Sequence, residues 1–485
     1  MKRVKNICIS LSLLAVLVLS LTFSLDVTQV QASADQTSYN YSYWEESVPA
    51  PPAYLPTMIV DGQGLGIEPF NSPNDIYVSD DHYVYVADTG NNRIVILNDV
   101  FEYEATIDSF IASGSRDTFL APEGVFVTSD NHVYIADTGN QRVVHLDENF
   151  DFVKTIDEPE SEMLTSTFSF RPRKIAVDDA GRTFVMSEGV FDGFMEFSVD
   201  GHFTTFIGAN RVQVDPLEFL WRRFATREQR SQMVMFVPTE FTGLDLDEDG
   251  FIYATNVDNA DDVIKKINAR GDDILRREGY FNPIGDIDYD NDQGPSRLTD
   301  VSVGENGIYS VLDTRRGRVF TYNNDGFLMY IFGGLGNKVG EFHTPIAIER
   351  FDDFFLVLDR NLGEITVFNA TAYGSALDQA VISYEQGEEE LAQELYEEVV
   401  NMNANLEFAY TGIGKALLRQ DQYEEAMFNF EQSIDQSNYS KAYLLYRNQV
   451  LRENFSLMMG IIFVVIALWI GFSVYRKKTK RKRVF

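Results

Sequence analysis

Closely spaced carboxylates in one segment of the chain have the arrangement of a metal site. Asp286, Asp288, Asp290 and Asp292 alternate with other residues, and Gly294 follows them. Ca²⁺ takes several oxygen ligands, which alternating carboxylates in a loop can supply. The segment therefore predicts a calcium site, and the alternative is an acidic loop that binds only water.

A second acidic run has a different interpretation. Asp245, Asp247 and Asp249 precede Gly250, but the twelfth position of a calcium-binding loop counted from Asp245 is Asn256 instead of Glu. Asp and Gly are favoured in tight turns without any metal. We therefore predict a hairpin turn here.

A basic segment on this acidic chain could bind an anion. An insertion at residues 209–238 contains an Asp-Pro pair at 215–216, which is a helix-start signal, followed by apolar residues at helical spacing. Its candidate ligand-binding residues are Arg222, Arg223 and Arg227. One interpretation is a lid whose arginines donate to an anionic or saccharide ligand. The other is an amphipathic helix packed on the rim of the domain, with its arginines neutralising nearby carboxylates.

These segments interrupt a sequence repeat. Residues 73–97 and 122–146 are nearly the same sequence, displaced by 49 positions. A repeat of this length indicates a propeller, a solenoid or an array. Each copy contains short runs of β-branched and aromatic residues separated by turn clusters, without helical periodicity.

Weaker copies bring the count to six. They begin near Arg171, Phe241, Leu298 and Thr344. Four strands per copy is the composition of one propeller blade, so the fold class is an all-β six-bladed propeller. The last copy ends after its third strand, whereas residues 54–60 precede the first copy. We expect this N-terminal strand to complete blade six, which removes exposed sheet edges.

The Y-V-A-D-T-G-N-N-R sequence that ends at Arg93 resembles the NHL repeat of six-bladed propellers, over residues 53–369. The resemblance implies that the residue after each blade's opening position lines the mouth of the central channel. These residues are Asn74, Glu123, Arg173, Thr242, Thr299 and Ile346. It also implies that the two long insertions are connections between blades on one face.

The resemblance also defines an enzyme alternative. Related propeller lactonases hold a divalent ion with channel carboxylates, and amidating lyases of the family use histidines. The predicted mouth has one carboxylate and no histidine, so we expect a binding or scaffold protein. The alternative is a hydrolase or lyase of the lactonase type that uses Glu123 with Asn74.

The N-terminus has the order of a secretory signal. Three cations within the first five residues precede an apolar run at 7–25 and a small-residue segment, Ala32-Ser33-Ala34. Residues 1–34 are therefore predicted to be a signal peptide or an uncleaved anchor, followed by a linker at 35–52. The one cysteine, Cys8, lies at the start of the apolar run and not after it, so the segment that follows the signal has no thiol chemistry.

The C-terminus predicts a membrane anchor. Residues 457–475 are an uncharged apolar run, long enough to cross a hydrocarbon core. The tail at 476–485 contains seven Lys or Arg residues. Because cytoplasmic flanks are enriched in cations, we expect a cytoplasmic tail, a single-pass protein in the cell membrane and an extracellular propeller.

Residues 374–455 show helical periodicity. Two units align at an offset of 34, with Ala392 over Ala426 and Tyr396 over Phe430, and the small Gly414 lies between them. This pattern resembles tetratricopeptide repeats. A further helix is expected at 441–455. The segment is predicted to be a spacer or docking stalk, and a peptide-binding groove is the alternative.

Net charge narrows the classes of partner that the chain could bind. The chain carries −34 at pH 7, which argues against nucleic acid. The combination of signal, propeller and anchor resembles surface proteins of Gram-positive bacteria, and similar chains occur with sugar-uptake permeases. From this resemblance we expect a membrane-anchored extracellular binding protein whose partner is a saccharide or a transporter component.

Overall fold

The computed structural model describes residues 38–161, 164, 168–209, 239–257, 262–289 and 293–481, with side chains as far as Arg476. The predicted signal at residues 1–34 lies outside this part of the chain. The described chain divides into two compact units. One consists mainly of residues 52–326 and 330–371, and the other of residues 39–51, 327–329 and 372–485.

The first unit is a propeller of six sheets, as the repeat predicts. Blades one to three contain β4 (Asp75–Val78), β5 (Val84–Asp88), β6 (Arg93–Leu97), β7 (Tyr103–Ile107), β10 (Gly124–Val127), β11 (Val133–Asp137), β12 (Arg142–Leu146), β13 (Phe152–Ile156), β14 (Pro172–Val177), β15 (Thr183–Ser187), β16 (Phe194–Phe197) and β17 (Phe203–Ile207). Blades four to six contain β18 (Phe241–Leu246), β19 (Ile252–Asn256), β20 (Ile264–Ile267), β21 (Leu298–Val303), β22 (Tyr309–Asp313), β23 (Arg318–Tyr322), β24 (Leu328–Gly333), β25 (Pro345–Phe351), β26 (Phe354–Asp359) and β27 (Glu364–Ala370).

The ring closes as the sequence predicts. The N-terminal strand β3 (Tyr54–Asp61) pairs antiparallel with β27 and becomes the fourth strand of blade six. Val60 pairs with Ile365, and Met58 pairs with Val367. Strands from both ends of the propeller sequence therefore share one sheet.

Blade four is the exception to the four-stranded pattern in the described chain. Its sheet contains β18, β19 and β20. The next residues return toward β20 only through a bridge between Ile267 and Asp273, and Ile274 N donates to Lys266 O at 2.7 Å.

The apolar core lies between neighbouring blades. One cluster joins Ile96 of blade one to Val125 of blade two, and another joins Leu356 of blade six to Val86 of blade one. Some strands alternate apolar and polar residues, and others are apolar throughout. An inner strand can be apolar throughout because both of its faces are covered by adjacent sheets. Burial of these side chains supplies the main favourable term for the ring.

Two hairpins are not predicted from the sequence. β1 (Tyr39–Tyr41) pairs with β2 (Ser47–Pro49) inside the predicted linker. β8 (Ser109–Ala112) pairs with β9 (Ser115–Thr118) in the connection between blades one and two. The turn of the second hairpin is Ser113-Gly114, and both residues have positive φ, as a two-residue hairpin turn requires.

The Asp of the D-T-G-N-x-R sequence anchors the preceding connection to its blade. Asp137 is fully buried, and its carboxylate accepts from Leu120 N at 2.7 Å, from Asn140 Nδ2 at 2.9 Å and from Arg142 Nε at 2.8 Å. Asp88 has the same set of partners in blade one, beginning with Asn71 N at 2.8 Å. Because a buried carboxylate needs charge and hydrogen-bond compensation, the Arg and Asn of the motif are structural.

The Thr and Gly of the same sequence join the blades. Thr89 Oγ1 donates to Pro122 O at 2.7 Å, and Thr138 Oγ1 donates to Pro172 O at 2.6 Å. Each bond therefore reaches the opening residue of the next blade. A Cβ on Gly139 would lie 2.4 Å from Leu120 O, so only glycine permits this approach.

The second unit contains six helices in the described chain. They are α1 (Ala372–Gln386), α2 (Glu389–Met402), α3 (Glu407–Arg419), α4 (Tyr423–Gln432), α5 (Gln436–Glu453) and α6 (Phe455–Arg481). A Cβ on Gly414 would lie 2.6 Å from the Phe430 ring, so this glycine allows α3 and α4 to approach. The helix expected at 441–455 begins earlier, where Asp435 accepts from Asn438 N and caps α5.

α6 is long and apolar enough to cross a membrane. The qualifying stretch is Phe455–Arg476, and none of it is buried within the protein. An exposed apolar helix of this length is costly in water and favourable in a bilayer. The helix could therefore serve as a membrane anchor.

Substitution Asp137→Ala tests whether the motif is a scaffold. We expect the free energy of unfolding to fall by about 2–4 kcal/mol, because Leu120 N and the Arg142 guanidinium each lose a buried partner. The measurement is denaturant unfolding of the full-length protein in detergent. Asp99→Ala, in an exposed turn, is the matched control and should change stability by less than about 0.5 kcal/mol. Equal effects of the two substitutions would contradict the assignment.

Candidate functional site

A cavity of about 480 Å³ opens at the channel end where the first strands begin. We call it the mouth cavity. Five of the six predicted channel-mouth residues line it: Asn74, Arg173, Thr242, Thr299 and Ile346. Glu123 lies beside it and is hydrogen bonded to two of them. The fold therefore places these positions together at one end of the channel.

Four polar side chains form a continuous row across this end of the ring. Arg173 Nε donates to Glu123 Oε2 at 2.8 Å, and Asn74 Nδ2 donates to the same oxygen at 3.3 Å. On the other side of Asn74, the Arg360 guanidinium donates to Asn74 Oδ1. The row Arg360, Asn74, Glu123 and Arg173 crosses blades six, one, two and three, and we call it the mouth row.

The two threonines have a different environment. Thr242 Oγ1 donates to Leu298 O at 2.7 Å, and Thr299 Oγ1 makes a longer bond of 3.4 Å to Leu312 O. Thr299 Oγ1 also lies 2.5 Å from Thr314 Oγ1, which in turn donates to Pro345 O, so both mouth threonines are hydrogen bonded within the ring. They line the cavity, but their donor capacity stabilises the ring.

Arg360 was not predicted as a site residue, although the sequence carries a signal. It occupies the place that Thr89, Thr138 and Thr314 occupy after the buried Asp of their blades. Those threonines donate to the opening proline of the next blade, whereas Arg360 reaches the mouth row. A departure from the motif therefore marks a residue at the cavity.

One residue after the mouth positions, along the first strands of three blades, three charged side chains form ion pairs. Lys174 Nζ lies 2.9 Å from Asp75 Oδ1 and 2.6 Å from Asp300 Oδ1. These three side chains come from blades three, one and five, and they are almost entirely buried. We call them the axial triad. The residues predicted from the sequence, Asn74, Arg173 and Thr299, each precede a member of the triad, and the triad itself was not predicted.

Small residues at the equivalent position separate the charged ones around the ring. Gly124, Gly243 and Ala347 occupy it in blades two, four and six, by their pairing with the second strands. A Cβ on Gly124 would lie 2.3 Å from Arg173 O, and one on Gly243 would lie 2.8 Å from the Cα of Asp300. The alternation lets three long side chains converge without a steric clash.

The axial triad holds its lysine as an ammonium. Burial alone would lower the pKa of Lys174, but the carboxylates of Asp300 and Asp75 raise it above its ordinary value. Burial raises the pKa of Asp300 to about 6, against the opposing effect of Lys174. An ammonium between two carboxylates is a structural cation and a poor nucleophile.

Two further carboxyl groups lie deeper in the channel. Asp245 and Glu349 occupy the next inward position of blades four and six and keep partial access to solvent. Burial raises the pKa of Asp245 to about 7, although Val303 N donates to it at 2.7 Å. Burial, followed by the charges of Asp245 and Asp300, raises the pKa of Glu349 well above its ordinary value. One lysine therefore faces four carboxyl groups.

The opposite end of the channel opens into a larger cavity of about 830 Å³. His132 and His145 line it, and their ring nitrogens lie 2.8 Å apart. The His145 ring stacks on Tyr134, with ring centroids 4.1 Å apart. Burial, with His132 next, lowers the pKa of His145 to about 4, so the ring is neutral at pH 7. The two histidine rings are thus packed against each other and against Tyr134.

The predicted calcium loop is only partly described. The Asp286 carboxylate is buried and pairs with Arg316 Nε at 2.8 Å and Arg318 at 3.3 Å. Asp290 and Asp292 lie outside the described residues. Within the described chain, no three His, Cys, Asp or Glu side chains converge as metal ligands would. Calcium at this loop stays a prediction.

The second acidic run forms the predicted turn. Asp247 Oδ1 accepts from Asp249 N at 3.1 Å and from Phe251 N at 2.8 Å, which is the bonding of an Asx turn. Asp245 belongs instead to the channel.

The candidate lid residues Arg222, Arg223 and Arg227 lie outside the described residues. The lid therefore stays a prediction from the sequence.

Comparison with known proteins supports the fold. The family model for the NHL repeat matches residues 70–97 and 119–146, which are blades one and two. No curated protein matches the chain. The chain thus carries NHL repeats in two blades of a six-bladed propeller.

Solved structures with a similar chain course are propellers of low sequence identity. Virginiamycin B lyase from Staphylococcus aureus is 10% identical, with 65% of this chain and 99% of that chain covered and a TM-score of 0.40. The aldose sugar dehydrogenase from Streptomyces coelicolor, in its PQQ-bound form, is 13% identical, with 66% and 100% covered and a TM-score of 0.38. At these values the likeness carries no functional inference.

Substitution Lys174→Met tests the axial triad. It leaves Asp75 and Asp300 buried without their cation, so we expect the free energy of unfolding to fall by about 3–5 kcal/mol at pH 7.5. The triple variant with Asp75→Asn and Asp300→Asn should recover part of that loss. Denaturant unfolding of the full-length protein in detergent measures both. Lys338→Met, at an exposed site, is the matched control. A Lys174→Met variant as stable as this control would contradict the structural role.

Substitution Asp245→Asn tests the raised pKa in the deeper channel. A carboxyl whose folded pKa is about 7, against 3.8 when unfolded, favours the folded state below about pH 4 and loses this contribution as the pH rises through 7. The variant does not titrate at this position. Its stability relative to the native protein should therefore rise between pH 5 and pH 8, by an amount on the order of 1–2 kcal/mol.

Denaturant unfolding at the two pH values measures this difference. Leu244→Ala on the same strand is the control, because it removes buried apolar surface and should cost a similar amount at both pH values. Parallel pH profiles for Asp245→Asn and the native protein would show that Asp245 is not protonated in the folded state near neutral pH.

Proposed function

We propose that this protein is a membrane-anchored extracellular binding protein whose propeller binds a small ligand at the mouth cavity. The observation that carries the proposal is the cavity itself, about 480 Å³, with the hydrogen-bonded mouth row along one side. Ligand sites are concave and combine a few converging polar groups with apolar walls. Phe191 and Phe241 supply apolar surface here.

The axial triad supports binding at this cavity. Lys174 also lines the cavity, and its charge is compensated by Asp75 and Asp300 below it. The channel beneath the mouth is therefore occupied by mutually bonded side chains. A ligand would rest against this base and contact the mouth row at its side.

The helical unit is proposed to act as a tetratricopeptide-like docking stalk. The close approach at Gly414 and Phe430 and the buried Ala426 support this interpretation. We propose a transporter component as the protein partner and a saccharide as the ligand class, with α6 as the anchor and the basic tail in the cytoplasm.

Substitution Ile346→Trp tests ligand binding at the mouth. The larger side chain takes up part of the mouth cavity, so any ligand bound there should lose affinity by at least about tenfold. The measurement is titration calorimetry of the full-length protein in lipid nanodiscs with a panel of mono- and oligosaccharides. Val100→Trp, in an exposed turn away from the cavity, is the matched control.

Two outcomes would overturn the proposal. One is a ligand whose affinity is equal in the native protein and in Ile346→Trp. The other is hydrolysis of a lactone by the native protein that is lost in Glu123→Gln, which would favour the enzyme alternative.

A further inference from the structure

The mouth row contains two positively charged side chains and one negatively charged side chain. Both terminal residues, Arg360 and Arg173, are guanidinium groups, and Glu123 is the one carboxylate between them. Asn74 next to Arg360 is neutral. One carboxylate therefore serves two guanidinium groups, and it is bonded directly to Arg173.

Arg360 has the less favourable environment of the two. It is half-buried, and burial lowers its pKa; the charge of Glu123 opposes this effect, and the charge of Arg173 makes a smaller contribution in the same direction as burial. Its direct partner is the Asn74 amide oxygen, which carries no full charge to offset the loss of water. An anion placed beside Arg360 would compensate this cost.

A third guanidinium group lies on the cavity wall. Arg297 precedes blade five, is exposed and lines the mouth cavity. Its backbone N–H bonds to Asp313, and within the described chain no ion pair involves its side chain. The mouth cavity thus receives guanidinium groups from blade three, blade six and the connection before blade five.

One carboxylate, that of Glu240, also lines this cavity and is already hydrogen bonded. Glu240 Oε1 accepts from Gly189 N at 3.2 Å. The hydroxyls of Thr242 and Thr299 are already hydrogen bonded within the ring, to Leu298 O and to the Thr314 hydroxyl, so the guanidinium groups are the donors best placed for a ligand. The chain has a net charge of −34, so this local surplus of cations is opposite in sign to the charge of the chain as a whole.

We propose that the mouth cavity binds a small organic anion, a carboxylate or phosphate group carried on a sugar-sized body. This inference rests on the proposed function and specifies the ligand class. Guanidinium groups bind carboxylates and phosphates through paired N–H donors, whereas a neutral sugar would leave the charge of Arg360 uncompensated. A cavity of about 480 Å³ has room for the sugar ring as well as the anionic group.

The sequence supplies a substitution that is compatible with the fold. Arg360→Thr restores the residue found at this motif position in blades one, two and five. The ring should therefore be retained while one cationic group is removed from the mouth. Arg116→Thr makes the same change on the exposed β8–β9 hairpin and is the matched control.

Titration calorimetry tests the proposal on the full-length protein in nanodiscs. The probes are glucuronate, glucose 6-phosphate and glucose. We expect one or both anionic probes to bind and glucose to bind at least tenfold more weakly. Arg360→Thr should weaken the anionic probe at least tenfold, and Arg116→Thr should leave its affinity unchanged. The two anionic probes distinguish a carboxylate ligand from a phosphate ligand.

Arg297→Gln provides a second variant in case Arg360→Thr unfolds, because Arg297 is exposed and its loss should not disturb the ring. It should also weaken the anionic probe. Raising the salt concentration should reduce the affinity of the anionic probes, since the contact is between charges.

The failures of the two proposals are distinguishable. Glucose binding as tight as that of the anions, lost in Ile346→Trp but unchanged in Arg360→Thr, would overturn the anion inference and leave the proposed function standing. Anion affinity that is equal in Arg360→Thr, Arg297→Gln and the native protein would also overturn the inference. If no probe and no member of the saccharide panel binds, both proposals fail.

Discussion

The ammonium of Lys174 between the carboxylates of Asp75 and Asp300 is the interaction around which the centre of the propeller is arranged. Three buried charges are tolerated only because they compensate one another, and the loss of one would leave the others exposed to the full cost of burial. Because the three residues come from blades one, three and five, the same contact connects alternate blades at the axis. It also divides the channel into a mouth cavity and a deeper acidic region that contains Asp245 and Glu349.

The outer part of the ring is held together by a different set of contacts, the hydrogen bonds of the repeated Asp and Thr. The buried Asp of each well-conserved motif copy in this chain anchors the connection before its blade, and the following Thr bonds to the blade after it. The residues that give the chain its family resemblance therefore explain how the ring is held together. They do not explain a ligand site. The proposed site lies where one blade departs from the pattern, at Arg360, because a long cationic side chain replaces a short one there.

The mouth is asymmetric for the same reason. A hydrogen-bonded row crosses blades six, one, two and three, whereas Thr242 of blade four bonds to Leu298 O and Thr299 of blade five bonds to Thr314 of its own blade. A ring of repeated blades can thus have different side chains on two sides of its mouth while the fold of the blades stays the same. In the helical unit, by comparison, Gly412 and Gly414 face the rings of Tyr396 and Phe430, so shape there is set by close packing of helices.

The sequence by itself determined the number of blades, the closure of blade six by β3, the helical unit and the apolar C-terminal helix, because these follow from periodicity in the chain. One repeat alignment also identifies six equivalent positions, five of which line the mouth cavity. Only the tertiary structure decided which of these side chains meet. The bonds from Arg360 to Asn74 and from Lys174 to Asp300 join residues separated by 286 and 126 positions, and no local pattern encodes such a pairing. The charge states of Asp245 and Glu349 were likewise decided by the fold, because burial at the axis raises their pKa values.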